Sequence, residues 1–175
     1  MNRITALQEQ GNFQKCLDAS LRYLSYRPRG EAELRTRLTQ RGFAGDIQEA
    51  VILKLRDRGL VNDSAFAQFW KDNRDTFRPR SKWLTRLELR RKGVDTEIID
   101  RVVDTIDDEA NAYRAALSKA RSFLKGSDAD YPTFQRRLGG YLQRRGFSSS
   151  VIKGTLERIW QEQKKLEPMS QPGLQ

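Results

Sequence analysis

Histidine is absent from this chain of 175 residues, and cysteine occurs once, at Cys16. Those two gaps exclude Ser-His-Asp and Cys-His nucleophile pairs, His-ligated metal sites, zinc-ribbon clusters and any intrachain disulfide. No Gly-rich loop of the form G-x-x-x-x-G-K-S/T is present, so ATP is not an expected ligand. Uncharged apolar runs fall short of the roughly 18 residues that a membrane helix needs, and the stretch from Met1 to Cys16 lacks the apolar core of a signal peptide. The expected setting is the cytoplasm, a reducing compartment that suits one free thiol. Catalytic residues, metal and cofactor are all expected to be missing, and an enzyme is the least expected class.

Positive charge is what the chain has in excess. Lys plus Arg number 33 against 23 Asp plus Glu, a net charge of +10 with a pI near 10.0, so the natural partner is an anion. Arginine outnumbers lysine 23 to 10, which favours forked contacts to phosphate or carboxylate over diffuse attraction. Eight Phe, five Tyr and three Trp in a 37% hydrophobic composition supply small cores and argue against a disordered basic tail.

The chain repeats itself three times. Pro28, Pro79 and Pro132 are 51 and 53 residues apart, and Gly42, Gly93 and Gly146 keep the same intervals, each glycine 14 residues after its proline. Leu38, Leu89 and Leu142 stand four residues before the glycine, and Phe43, Val94 and Phe147 one after it. Downstream, Ile47, Ile98 and Val151 share a register, as do Ile52, Val103 and Leu156, and again Leu55, Ile106 and Ile159. Proline fits a first helical turn and glycine the left-handed residue that ends a helix, so each proline-to-glycine interval predicts one helix. The apolar spacing after the glycine predicts a second, opened by Asp46, Asp95 or Ser148. An earlier helix in each copy is marked by Leu17, Leu21 and Leu24, by Phe66, Phe69 and Trp70, and by Tyr113, Ala116, Leu117, Ala120 and Leu124. No period-two alternation argues for a strand.

The expected fold is therefore all-α, three tandem three-helix repeats forming an elongated, curved array. Expected limits are 15–61, 62–108 and 109–165, with a loop at Gly126–Asp130 and flexible ends at 1–14 and 166–175. A unit of about 50 residues is near the lower limit for an independent core, so each copy is expected to lean on its neighbour.

Charge is unevenly shared. Residues 1–62 carry +4, residues 63–108 carry 0 and residues 109–175 carry +6, which casts the middle copy as a neutral spacer. The basic candidates for partner contact lie on the proline-to-glycine segments: Arg35, Arg37 and Arg41; Arg86, Arg90, Arg91 and Lys92; Arg136, Arg137, Arg144 and Arg145. For Arg41, Lys92 and Arg145 the negative end of a helix is a sufficient alternative reason for a cation. The acidic knot of Asp104, Asp107, Asp108 and Glu109 reads better as helix capping than as a cation site. Trp83 reads better as core than as a base-stacking platform, and Cys16 as a packed thiol.

Four stretches in order carry a family likeness: Tyr26-Arg-Pro-Arg-Gly-Glu-Ala-Glu-Leu-Arg-Thr-Arg-Leu-Thr-Gln-Arg-Gly-Phe43, Leu55-Arg-Asp-Arg-Gly-Leu-Val-Asn-Asp-Ser-Ala-Phe-Ala67, Glu88-Leu-Arg-Arg-Lys-Gly-Val94, and Arg144-Arg-Gly-Phe147 with Val151-Ile152. Together they resemble the RecX regulatory proteins over about residues 17 to 160. Asn62-Asp63 departs from the acidic pair usual there, and either residue can cap a helix. The resemblance implies a modulator, usually an inhibitor, of the RecA recombinase that lodges in the groove of the RecA–DNA filament and limits ATPase and strand exchange. It also implies weaker, salt-dependent binding of single- and double-stranded DNA, a monomer, no membrane, no cofactor, and a place in recombination, DNA repair and the SOS response. A direct DNA-binding module of helix-turn-helix type is the alternative, since a basic helix beside a tight turn fits that too.

Overall fold

The computed structural model describes residues 3–123 and 130–166. Among the described residues are nine α-helices and no strand: α1 (Arg3–Leu24), α2 (Glu31–Gln40), α3 (Gly45–Asp57), α4 (Asp63–Phe77), α5 (Lys82–Arg91), α6 (Thr96–Val103), α7 (Asp108–Phe123), α8 (Tyr131–Gln143) and α9 (Ser149–Leu166). They form three three-helix modules in tandem. Leu124, the loop residues 126–129 and the tail from Glu167 lie outside the described residues.

The repeated glycines end helices as their spacing predicts. Gly42, Gly93 and Gly146 have φ of 79°, 75° and 84°, a conformation that side-chain-bearing residues rarely adopt. In each copy the glycine N–H bonds three residues back, and the next residue reaches five back to the in-register leucine: Phe43 to Leu38 (3.3 Å), Val94 to Leu89 (3.2 Å) and Phe147 to Leu142 (3.4 Å). This closure satisfies orphan carbonyls and brings the apolar residue after the glycine onto the leucine. Leu38, Leu89 and Leu142 are buried, as are Ile52, Val103 and Leu156, and Leu55, Ile106 and Ile159.

The prolines behave differently from expectation in two copies. Pro28 and Pro79 precede their helices by three residues, and only Pro132 sits inside a first turn. The cap residue decides this. Ser81 Oγ accepts from Leu84 N at 3.1 Å, and Asp130 accepts from Thr133 N at 2.8 Å, so α5 begins after its proline and α8 before it. Gly30 offers no side chain to α2, and Asp63, at the start of the next module, accepts from Glu31 N instead at 2.8 Å. Asp108 does the same for Lys82 N at 2.7 Å, while Asp107 caps its own helix through Glu109 N and Ala110 N, each at 3.0 Å. Two members of the acidic knot, Asp107 and Asp108, thus cap helices, and Asp108 caps one of the preceding module. Among the described residues no group of His, Cys, Asp or Glu is arranged to hold a metal ion.

The chain divides into two compact units, Met1–Lys71 with Leu87–Val102, and Asp72–Arg86 with Val103–Gln175. The division runs through α4 and α5, so residues of the middle module belong to both. In the first unit Cys16 and Leu17 of α1, Leu34 and Leu38 of α2, and Val51, Ile52 and Leu55 of α3 form the core with Val61. Cys16 is wholly buried, and burial pushes its thiol up from the ordinary value, so it packs as an inert apolar group. In the second unit Phe134, Leu138 and Leu142 of α8 pack with alanines of α7 and with Leu156 and Ile159 of α9. Trp83 is not core: it is 62% exposed.

Candidate functional site

A cationic cleft lies within each unit, where the glycine end of one module meets the start of the previous module's proline-to-glycine helix. The close approach depends on glycine. A Cβ on Gly93 would stand 2.5 Å from Ala32 Cβ of α2, and one on Gly146 would stand 2.5 Å from Ser81 Oγ and 2.8 Å from Leu84 Cβ at the start of α5.

The cleft of the first unit has a volume of 490 Å³ and is lined by Arg37 of α2 and by Arg90, Arg91 and Lys92 at the end of α5, together with Glu33 and Tyr23. Four of the expected contact residues are therefore gathered in one place. Lys92 Nζ lies 4.2 Å from the centre of the Trp70 ring, and Trp70 Nε1 donates to Glu88 at 2.8 Å, so the lysine is positioned as well as charged. Glu33 receives Arg27 at 2.6 Å and Arg29 at 2.9 Å. Burial pushes the Glu33 carboxyl up, but hydrogen bonds from Arg27 and Arg29, with the charges of Arg27 and Lys92, outweigh that and hold it below the ordinary carboxylate value.

The cleft of the second unit has a volume of 400 Å³ and is lined by Arg78, Arg80, Leu84, Tyr141, Arg144 and Arg145. No carboxylate is among these lining residues. Arg145 is fixed from three sides: Nη1 donates to Pro79 O at 3.0 Å, its guanidinium lies 4.5 Å from the centre of the Tyr141 ring, and its carbonyl accepts from Ser81 N at 3.1 Å. Burial lowers the pKa of Arg80, reinforced by the like charges of Arg74, Arg145 and Arg78. Like charges gathered in this way favour an anion between them.

The remaining candidates do not join these clefts. Arg35 is held by Glu31 of its own helix at 2.9 Å and by Glu49 of α3, which makes it part of the packing of the first module. Arg56 completes that network through Glu31. Arg41 is exposed at the end of α2, where its backbone N–H bonds Leu38 O. Arg86 is half-buried on α5, and Arg137 is exposed on α8. Arg136 lines a separate groove of 530 Å³ with Gly139, Gly140, Ile152, Lys153 and others along α8 and α9. Arg136 and Arg145 thus serve different surfaces.

Sequence reasoning left Arg78 and Arg80 out of the contact set and read their module as a spacer. The signal that singles them out is the residue five after each repeat proline: Glu33, Leu84 and Arg137. In the first copy that position carries the carboxylate that engages both arginines of Arg-Pro-Arg, and in the second it is apolar.

Known proteins share this architecture in the same order. Models of the first, second and third three-helix domains of RecX match residues 16–55, 62–103 and 107–156. The chain is 34% identical over 142 residues to regulatory protein RecX of Mycolicibacterium smegmatis, covering 79% of this chain and 76% of that one. It is 33% identical over 147 residues to the Chlorobium phaeobacteroides protein of the same name, covering 84% and 95%. The crystal structure of RecX from Lactobacillus salivarius superposes with a TM-score of 0.72 at 23% identity, over 86% of this chain and 97% of that one, and shares the fold. Among the described residues no helix is long and apolar enough to cross a membrane. With three modules matched in order and identity sustained along most of its length, the chain belongs to the RecX family, whose members are regulatory proteins and not enzymes.

Proposed function

We propose that this protein regulates the RecA recombinase, acting as an inhibitor that lodges in the groove of the RecA–DNA filament and limits ATPase and strand exchange. Family membership across all three modules is the observation that carries this reading. The two cationic clefts supply a physical means, since each presents several forked or point charges to an acidic surface or a phosphate backbone. Contacts from modules at 15–61, 62–108 and 109–165 would act together, and linkage on one chain raises the effective concentration of each after the first is made. DNA binding is a second, weaker and salt-dependent contact, and the protein works as a cytoplasmic monomer in recombination, DNA repair and the SOS response.

The test is a titration of the protein into RecA filaments on single-stranded DNA, with ATP hydrolysis and filament length both followed. Inhibition at low stoichiometry to RecA supports the reading. Unchanged hydrolysis and filament length, with strong binding to naked DNA that falls steeply with salt, would instead favour a direct DNA-binding regulator.

A further inference from the structure

We propose that the hollow at the end of α1, within the first unit, is a docking socket for a protein partner, and that it takes a large apolar side chain flanked by carboxylates. The proposal rests on the reading that this protein acts on the RecA filament, and it assigns a contact with the recombinase to this place.

The hollow has a volume of 460 Å³ and is lined by Leu21, Leu24 and Pro28, by Leu60 in the turn after α3, and by Arg27 and Arg29 among others. That size lies within the roughly 300–1,000 Å³ of sites that bury small groups. Leu21 is 41% and Leu60 49% exposed, and Tyr26, between two lining residues, is 77% exposed. Single leucines scattered on a surface need no reason, but leucines that line one hollow do. The repeat shows that the fold does not require them. Counted from the repeat prolines, Asp72 and Asp75 stand where the first copy has Leu21 and Leu24. Counted from the back-reaching caps Asp63 and Asp108, Thr105 stands where it has Leu60. In the second copy these positions are polar and serve the module itself, since Asp75 accepts from Asn111 Nδ2 at 2.9 Å. The first copy thus keeps an apolar face open to water where the same kind of module folds with carboxylates.

The charge around the hollow indicates its occupant. No carboxylate is among the lining residues, and Arg27 and Arg29 share the single carboxylate of Glu33, at 2.6 and 2.9 Å, which leaves the rim net positive. A carboxylate next to an entering apolar side chain gains from both guanidiniums at that edge. An apolar centre edged by tyrosine and arginine is also the composition of a protein interface, in which aromatic and arginine side chains carry much of the binding energy. A phosphate placed over these leucines would instead lose its hydration to side chains that hold no donor.

The experiment titrates the full chain into RecA filaments on single-stranded DNA and follows ATP hydrolysis. In parallel, fluorescence anisotropy measures its binding to labelled single-stranded and duplex oligodeoxynucleotides without recombinase. Leu21→Asn with Leu60→Thr gives the first copy the polarity of the second without adding charge. This pair is expected to raise the concentration for half-inhibition about tenfold and to leave both DNA affinities as in the parent. Arg27→Gln, which leaves Glu33 to Arg29, is expected to raise that concentration a few-fold. Circular dichroism and melting report folding. Leu60→Asn alone, on an exposed turn, is expected to raise it several-fold and carries the test if the paired variant does not fold.

Folded leucine variants that inhibit RecA as the parent does would overturn the socket while leaving the action on RecA intact. A parent protein that leaves RecA hydrolysis unchanged would overturn both. Folded leucine variants that lose DNA affinity would overturn the socket in favour of a nucleic-acid contact at Tyr26. A parent dimer that the same variants dissociate, seen by sedimentation, would overturn it in favour of a second copy of this chain.

Discussion

The two Arg-Pro-Arg segments begin from the same three residues and reach opposite ends. Arg27 and Arg29 fold onto Glu33 within their own module, whereas Arg78 and Arg80 border a cleft completed by Arg144 and Arg145 of the following one. One position, five residues beyond the proline, separates the outcomes. A carboxylate there closes the pair on itself. A leucine there offers no carboxylate to the pair. The neutral net charge of residues 63–108 therefore concealed a basic surface, because charge summed along a chain does not report which side chains converge.

The glycine ends of the modules offer the sharpest way to break the comparison. Gly146→Ala would place a Cβ 2.5 Å from Ser81 Oγ and 2.8 Å from Leu84 Cβ at a φ of 84°, and should cost about 3 kcal/mol from strain and overpacking together. Gly93→Ala meets Ala32 Cβ at 2.5 Å and should behave alike. Gly42 has φ of 79° but nothing within 4 Å of its added Cβ, so Gly42→Ala should cost only the backbone term, about 1 kcal/mol. Denaturant unfolding of the three variants tests whether the close module junctions, rather than the left-handed turn alone, demand glycine. Equal losses would refute that distinction.

Glu33 tests the other side of the comparison. Its folded carboxyl titrates below the ordinary 4.5, so its contribution is complete above that value and is lost as the pH falls through the folded one. Glu33→Gln should cost about 1 kcal/mol at neutral pH and remove this acid-dependent loss, which melting curves between neutral and acid pH would show.

The back-reaching caps carry the opposite sign and the smallest effect. Burial raises the Asp63 carboxyl above 3.8 despite its bond from Glu31 N, so its contribution to stability is greatest below 3.8 and declines as the pH rises through the folded value. Asp63→Asn keeps an acceptor oxygen and removes the charge, and should raise stability near neutrality by about 0.5 kcal/mol. A clear loss instead would show that the ionised carboxylate is needed at the start of α2.

Much of the fold was legible because its signals are local. The in-register leucines are core because the glycine turn and the helical period place them there, and neither needs knowledge of the rest of the chain. The prolines misled in two copies because a cap residue, not proline, starts a helix: Gly30, helped by Asp63, and Ser81 lie after their prolines, and Asp130 before its own. Arg37, Arg90, Arg91 and Lys92 were nameable as basic residues, but their meeting was not. Trp83 was misjudged because an aromatic beside a glycine junction can lie on the surface over backbone instead of entering the core.

The amino-acid sequence by itself determined three helical modules, their glycine stops and the apolar face of each, since left-handed backbone and helical periodicity act within a few residues. Only the tertiary structure decided which arginines share a cleft. That depends on one module's glycine backbone coming within side-chain distance of the previous module's helix, which no local pattern of residues specifies.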